Sequence, residues 1–177
     1  LPFDEDVEQE EQEYREATVY KLLADYRKAN HLHFRISQGF NQFEIHVQVP
    51  SGSPQLDTIR TLLLILKKEL NFPFRLGAGV SPSYERSRYF AEHALMEADR
   101  YGRNDAFFMD EDDKITGPLS ADNQLMYNYS NEKALAFARE NGINETNILK
   151  LISIFEQDEA QLISSHALSE KLGITMR

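Results

Sequence analysis

The chain has 177 residues, 41% of them apolar, a net charge of −10 and no cysteine. This composition suits a packed globular domain with a small appendage and excludes general disorder. The lack of cysteine excludes disulfides, thiolate zinc sites and cysteine nucleophiles. No apolar run approaches the roughly 18 residues that span a bilayer, so we expect a cytoplasmic protein without a membrane partner.

An acidic start is followed by a predicted helix. Seven acidic and no basic residues lie between residues 4 and 13. Solvated helical turns explain this run more simply than an acidic binding tail does. Between residues 10 and 29 the apolar residues recur at three- and four-residue spacing, which predicts an amphipathic helix with these residues on one face: Val19, Leu22, Leu23 and Tyr26.

The pattern then changes to the two-residue period of β-strands. Residues 33–37 and 43–49 alternate apolar and polar side chains, so both segments are predicted strands. The polar link 38–42 between them predicts a hairpin. Gly39 and Asn41 are the residues in this link that tolerate positive φ.

Two helices and two further strands are predicted next. Residues 55–70 carry leucine and isoleucine along one helical face, and residues 83–101 form a second amphipathic helix with Gly102 as its C-cap. Residues 74–80 and 106–109 are predicted strands. The pair Gly77 and Gly79 inside a strand indicates close helix packing rather than a nucleotide site.

These elements predict an α+β fold. The order helix, strand, strand, helix, strand, helix, strand becomes a ferredoxin-like βαββαβ sandwich, with an extra helix and strand, once one strand is added at its start. That first strand is missing from the pattern. We therefore expect the chain to begin inside the domain.

The last third of the chain predicts a linker and two helices. Residues 110–122 are polar and rich in turn residues, so we place a boundary there and divide the chain into 1–117, a linker 118–142 and an all-α segment 143–177. Ser130 is expected to cap a helix that ends at Asn141–Gly142. Asn144 is expected to cap another, which runs through about residue 157 with these residues inward: Ile148, Leu151, Ile152 and Phe155.

The final residues resemble the helix-turn-helix of bacterial transcription regulators. Leu168 and Leu172 face inward, Gly173 supplies a tight turn and Thr175 can cap a new helix. Together with the preceding helix, this stretch is similar to a partial winged-helix domain. An ordinary αα-hairpin is the alternative.

This resemblance implies DNA as a partner. The residues expected at the DNA are Ser165, Thr175 and Arg177. Residues 145–177 carry three basic and five acidic side chains, so we expect most phosphate contacts to come from a recognition helix and wing beyond Arg177.

Two stretches together resemble the GGDEF domain of diguanylate cyclases. They are QGFNQFEI, from residue 38, and FAEHALMEADRYGRN, from residue 90. The strand LGAGV, from residue 76, is similar to a strand of that family as well. The resemblance covers roughly residues 10–109 and implies a nucleotide-cyclase-like sandwich in which the signature lies on the hairpin.

The departures from the family concern the signature itself, which here reads Gly39, Phe40, Asn41, Gln42 and Phe43. Two amides stand where the family has the carboxylates that hold Mg²⁺ for nucleotidyl transfer. Phe40 replaces a glycine that lets guanine approach. The resemblance therefore implies a hairpin that has lost the groups needed for nucleotidyl transfer.

A third departure lies on the helix, where Asp99 stands in place of a lysine that is similar to one contacting phosphate in the family. An acid there repels a triphosphate. We accordingly expect no catalytic residues, no metal and no cofactor. Asn41, Gln42, Arg103 and Asn104 are the candidate ligand-binding residues.

The leading hypothesis is a bacterial transcription regulator with an inactive GGDEF-like sensor or dimerisation domain and a DNA-binding winged helix. An interaction scaffold without DNA, and a nucleotide-processing enzyme, are the alternatives. A nucleotide or other small molecule is a possible effector. We expect a homodimer, with Tyr127, Tyr129 and the helix residues Leu135, Phe137 and Ala138 at its interface. Packing of these residues onto the sensor domain is the alternative. His31, His33 and His46 could meet across the hairpin as metal ligands, but exposed strand positions explain them more simply. His93 is expected at the surface.

Overall fold

The computed structural model describes residues 9–39, 42–48, 55–121 and 124–157. This part of the chain forms five helices and six strands. The helices are α1 (Gln9–Ala29), α2 (Gln55–Glu69), α3 (Tyr84–Tyr101), α4 (Glu132–Glu140) and α5 (Glu145–Gln157). The strands are β1 (Phe34–Gly39), β2 (Gln42–Val47), β3 (Leu76–Gly79), β4 (Ala106–Met109), β5 (Lys114–Gly117) and β6 (Leu125–Asn128).

The strands form two separate sheets. β1 and β2 pair antiparallel as a hairpin. The other four lie in the order β3-β4-β5-β6, where β3 and β4 are parallel and the following pairs are antiparallel. The parallel pair is possible because α3 provides the long crossover that such a pair requires.

Helices cover both faces of the larger sheet. Ala106 and Phe108 of β4 point into a core built with α1 and α2. Phe107 and Met109 point to the opposite face, into a core built with α3, α4 and α5. This alternation follows from the two-residue period of a strand. It explains why all four residues of β4 are buried.

The expected α+β class is confirmed, together with several element ends. Residues 106–109 form a strand as predicted, and α1, α2 and α3 match their predicted spans to within one residue. Gly102 ends α3 with a φ of 72°, as predicted for a left-handed C-cap. Asn144 caps α5, since its side-chain oxygen accepts from the Asn147 amide at 3.0 Å.

The hairpin link is shorter than predicted. Gly39 and Gln42 pair with each other in the ladder, so only residues 40 and 41 lie between the strands. Gly39 is not among the glycines with positive φ. Its tolerance of positive φ is not used, because the residue belongs to a strand rather than to the turn.

The predicted linker contains sheet structure. β5 lies inside residues 110–122, and β6 follows shortly after. Both strands belong to the same sheet as β3 and β4. Each has only four residues, too few for a clear period to stand out among the surrounding turn residues. The division into domains at 117 and 142 stays a prediction.

The two C-terminal helices differ in detail from prediction. Asn131, not Ser130, caps α4, because the Asn131 side chain accepts from the Ala134 amide at 3.1 Å. In α5 the buried apolar residues are Leu149 and Ile154, whereas Phe155 is 67% exposed and does not face inward. Ile148, Leu151 and Ile152 pack against the same core, as predicted, so Phe155 is the predicted inward residue that departs from the expected face.

The predicted dimer surface is reduced by burial within the chain. Tyr127 and Ala138 are 2% and 0% exposed, so neither is available to a second copy. Tyr127 packs in the core beside α3 and α5. Phe137 remains exposed. Homodimer formation itself stays a prediction.

Candidate functional site: the cleft between the two sheets

A large cleft separates β2 from β3. Its volume is about 2180 Å³, more than the roughly 300–1,000 Å³ of ordinary small-molecule pockets. Strand β2 borders it on one side and strand β3 on the other. Helices α1 and α2 line it on one face of the sheets, and α3 lines it on the other.

The interior of the cleft is largely apolar. Six half-buried side chains face it or its walls: Ile45, Ile59, Leu62, Leu76, Ala78 and Val80. The half-burial of these residues contrasts with the complete burial of β4, the strand next to β3. The described part of the chain therefore buries these apolar residues of the cleft only in part.

A polar cluster lies at one rim of the cleft, around the carboxylate of Glu44. Its Oε1 atom is 3.3 Å from His46 Nε2 and 3.5 Å from Arg88 Nε. The Tyr84 hydroxyl donates to the same oxygen at 3.4 Å. Arg88 also pairs with Glu92 at 3.1 Å. These contacts tie β2 to α3 across the cleft.

The Glu44 cluster is suited to holding elements together. Its single carboxylate already has three partners, and the pairs are partly exposed. Among the described residues no group of three or more histidine or acidic side chains could hold a metal ion. His31, His33 and His46 likewise form no metal-ligand set among the described residues.

The residues of the predicted signature hairpin are only partly described. Gly39 and Gln42 are exposed at the end of the ladder, and Phe43 is buried in the core shared by α1 and α2. Phe40 and Asn41 lie outside the described residues. Gln42 lines the cleft, so one of the candidate ligand-binding residues is placed at its edge.

Arg103 and Asn104 lie away from that lining. Asn104 Oδ1 accepts from the Phe74 backbone amide at 3.1 Å, which fixes the start of β3 relative to the start of β4. Arg103 is exposed and lies over the Tyr101 ring at 5.6 Å. Neither lines the cleft that Gln42 borders, so the candidate ligand-binding residues do not form one site in the described structure.

The predicted DNA-facing residues Ser165, Thr175 and Arg177 lie outside the described residues. Their assignment stays a prediction. The described structure reaches them only through α5, the helix that precedes them. How α5 is held is therefore relevant to any role of the C-terminal segment.

A buried ionic network, not predicted from the sequence, holds α5. Glu97 of α3 is 1% exposed. Its carboxylate pairs with Lys150 of α5 at 3.3 Å and with Arg100 of its own helix. Arg100 donates in turn to the Thr146 hydroxyl at 2.7 Å. The network therefore joins α3 to α5.

Two ring side chains near this network have shifted pKa values. Burial, and then the nearby Glu97 carboxylate, raise the pKa of Tyr127. His93 lies between the rings of Tyr89 and Tyr129, at 4.2 and 4.8 Å. Burial lowers the pKa of His93. The surface position expected for His93 is met only in part, because its ring is half-buried between these tyrosines.

A signal for Glu97 was present in the sequence. Phe90, Ala94, Glu97 and Ala98 share one face of α3 at helical spacing, so an acid interrupts an apolar stripe. Such a residue needs a buried partner. Periodicity alone did not reveal that Lys150 would be that partner, because the two residues are 53 positions apart in the chain.

Comparisons with protein-family models, with curated proteins and with solved structures found no match to this chain. In the described part of the chain, none of the helices combines the length and the apolar character needed to cross a membrane.

Proposed function

We propose that this protein is a bacterial transcription regulator, in which a catalytically silent, nucleotide-cyclase-like body controls a C-terminal winged helix that binds DNA. The observation that carries the proposal is the stretch from Leu168 to Thr175, which resembles a helix-turn-helix and begins eleven positions after the last residue of α5 in the sequence. The proposed partners are DNA and a second copy of the chain. The proposed location is the cytoplasm.

The arrangement of the body supports its comparison with the GGDEF fold. The hairpin β1–β2 is followed by α2, β3 and α3 in the order that the resemblance implies. α1 and α2 pack on one face, and α3 packs on the other. The sequence places Asn41 and Gln42 where the family has carboxylates, and amides stabilise Mg²⁺ far less than carboxylates do.

The link between body and DNA-binding segment is proposed to be α5. The Glu97–Lys150 pair and the burial of Leu149 and Ile154 anchor this helix to the body. A rigid attachment of this kind lets a change in the body alter the position of whatever follows α5. Ser165, Thr175 and Arg177 are then proposed to lie at the DNA.

The direct test is DNA binding by the full-length protein. We expect binding to a fragment of its own promoter at least about 1,000-fold tighter than to a scrambled fragment of equal length. Fluorescence anisotropy at several salt concentrations measures both affinities, and Arg177→Glu should weaken them. Equal affinity for the two fragments would contradict the proposal.

Incubation of the same protein with GTP and Mg²⁺ or Mn²⁺ tests the silent hairpin. We expect GTP to remain intact, because Asn41 and Gln42 lack the charge that metal-assisted nucleotidyl transfer uses. Formation of a cyclic dinucleotide would contradict this part of the proposal. It would favour the nucleotide-processing enzyme instead.

An interaction scaffold is the second candidate. Phe137 of α4 and Phe155 of α5 are 51% and 67% exposed, and exposed aromatic side chains on neighbouring helices suit a protein partner. A panel of nucleotides in a thermal-shift assay separates a scaffold from a sensor. A ligand at 100 times its Kd stabilises its receptor by roughly 2.7 kcal/mol, whereas a scaffold shows no shift.

Phe137 also provides the test of the dimer. We expect the protein to have twice its monomer mass of 20.5 kDa in light scattering, and Phe137→Glu to shift it towards the monomer. Leu64→Glu, at a 64% exposed position on α2, is the matched control. A dimer that both variants leave intact would place the interface elsewhere.

A further inference from the structure

Only one face of α1 packs against the core. Val19, Leu23 and Tyr26 are the buried residues of this helix. The opposite face points to solvent, and two aromatic side chains on it or beside it are strongly exposed, Tyr14 at 65% and Tyr20 at 49%. Aromatic residues are enriched where proteins contact each other, so the outer face of α1 is a candidate contact surface.

The residues of this outer face follow the spacing of a coiled-coil seam. Spacings of four and three residues alternate along it, on the side of the helix opposite to the buried residues. We call this set the outer seam, and its members are Glu10, Tyr14, Ala17, Lys21, Ala24 and Lys28. Ala24 is half-buried and the others are exposed. A seam of this spacing can pack against a second helix along its whole length.

The charge of the outer seam changes from acidic to basic along the helix. Glu10 lies near its first residue, whereas Lys21 and Lys28 lie towards its last. These three side chains form no ion pair within the described part of the chain, although Glu11 and Arg15 of the same helix pair with each other. Glu10 and Lys28 are separated by about 27 Å along the helix axis, so they cannot pair within one copy.

The outer seam is complementary to itself when two copies run antiparallel. A two-fold axis beside Val19 brings its members together in pairs, which are Glu10 with the partner's Lys28, Tyr14 with the partner's Ala24, and Ala17 with the partner's Lys21. Opposite charges then meet at both ends, and the large Tyr14 ring faces a small residue. The lysine stem at the centre covers an alanine while its ammonium group stays in water. A parallel pair would instead place each charge against its own copy.

We propose that α1 is a self-association surface, on which the outer seams of two copies pair antiparallel. A single pair of helices buries less than the about 1,200 Å² of stable interfaces, so this contact is weak and forms at high protein concentration. α1 and α4 lie on opposite faces of the larger sheet. The contact is therefore separate from the dimer contact proposed at Phe137 and would join such dimers into larger assemblies. Failure of DNA binding, or of the Phe137 contact, would leave it standing.

Sedimentation velocity of the 177-residue chain carrying Phe137→Glu tests the α1 contact apart from the one at Phe137. We expect reversible association whose Kd rises at least about tenfold in Glu10→Lys and in Lys28→Glu, because each variant opposes like charges in two symmetry-related pairs. Lys68→Glu, whose side chain on α2 is 81% exposed, is the matched control and should change nothing. Glu10→Lys also reduces the magnitude of the net charge of −10, which by itself favours association, so weakening by this variant cannot be a general charge effect.

An equimolar mixture of the Glu10→Lys and Lys28→Glu variants provides the decisive measurement. In a mixed pair each introduced charge faces an opposite charge, so the mixture should recover the association of the parent chain. Such recovery would also show that neither variant had failed to fold. Absence of association at millimolar concentration, insensitivity to both variants, or no recovery in the mixture would overturn the proposal. Stronger association of either variant alone would indicate parallel pairing and would overturn it too.

Discussion

The two edges of β3 have opposite character. Towards β4 the strand is fully paired, and the neighbouring strand is completely buried between two helical layers. Towards β2 the same four residues border an open cleft and remain half-buried. The packing of β3 is therefore complete on one side, whereas no described strand pairs with its edge on the other.

The largest expected effect comes from filling the space between β3 and α3. A Cβ atom on Gly77 would lie 2.3 Å from the Ala91 carbonyl oxygen and the Leu95 amide nitrogen. Because backbone cannot yield as a side chain does, Gly77→Val should lower the free energy of unfolding by about 3 kcal/mol or more. Denaturant titration measures this change.

Gly39→Ala is the matched control. The nearest atom to its added Cβ is a Gln42 side-chain carbon at 3.5 Å, which is ordinary contact. Its effect should stay within about 0.5 kcal/mol. A mild effect of Gly77→Val would show that α3 can move away from β3. The packing of α3 on β3 would then be less rigid than the structure indicates.

The next effect comes from the buried ionic network. Glu97→Ala leaves Lys150, whose side chain is 13% exposed, without its partner. Breaking a buried pair costs about 3–5 kcal/mol, and we expect the lower end because Arg100 is half exposed. Urea unfolding measures the loss.

Glu92→Ala provides the comparison, since its pair with Arg88 is largely exposed. Such surface pairs contribute about 0–1 kcal/mol. The double variant Glu97→Leu with Lys150→Met should recover most of the lost free energy of unfolding, because no unpaired charge remains. Equal effects of Glu97→Ala and Glu92→Ala would mean that α5 is not anchored through this network.

A smaller effect appears at alkaline pH. The pKa of Tyr127 is raised by burial and by Glu97, so the folded state holds the phenol proton more tightly than the unfolded chain. The stability that this provides is complete below the ordinary tyrosine pKa near 10 and is lost as pH rises above it. By pH 11 the loss should be about 1.4 kcal/mol.

Tyr127→Phe should remove the part of the pH dependence of stability that comes from Tyr127 and leave the part that comes from other groups. Tyr26 and Tyr129 also have raised pKa values, but they contribute equally in both proteins. Unfolding free energies of the two proteins between pH 8 and 11 make the comparison. Parallel pH profiles would show that Tyr127 ionises as freely in the folded state as in the unfolded chain.

The predictable features were those set by local pattern. The period of apolar residues located α1, α2 and α3, and the requirement for a left-handed cap identified Gly102. β5 and β6 were not predicted because each has only four residues. So short a strand shows no clear two-residue period, least of all near Asp110 and the Gly117–Pro118 turn. The inward packing of Ile148, Leu151 and Ile152 on α5 was also predicted, whereas the exposure of Phe155 was not, since the apolar residues lie nearly all round the helix.

The features that depend on distant contacts could not be read locally. Glu97 was visible as an acid in an apolar stripe, but its partner Lys150 lies on another helix. Asn104 was selected as a possible ligand contact, whereas the structure uses it to hold Phe74. The cleft arises from the separation of β2 and β3, elements that are 28 residues apart in the chain and are brought near each other by α2.

The most direct test of the difference between the two edges is amide exchange by NMR in this 177-residue chain. Ala78 directs its amide towards β4, as Leu76 and Val80 do, whereas Gly77 and Gly79 direct theirs into the cleft. After correction for intrinsic rates, the account predicts that both glycine amides exchange at least about tenfold faster than the Ala78 amide, a difference of about 1.4 kcal/mol in opening free energy. Equal protection of the three amides would show that the cleft edge of β3 is already paired and would contradict the account.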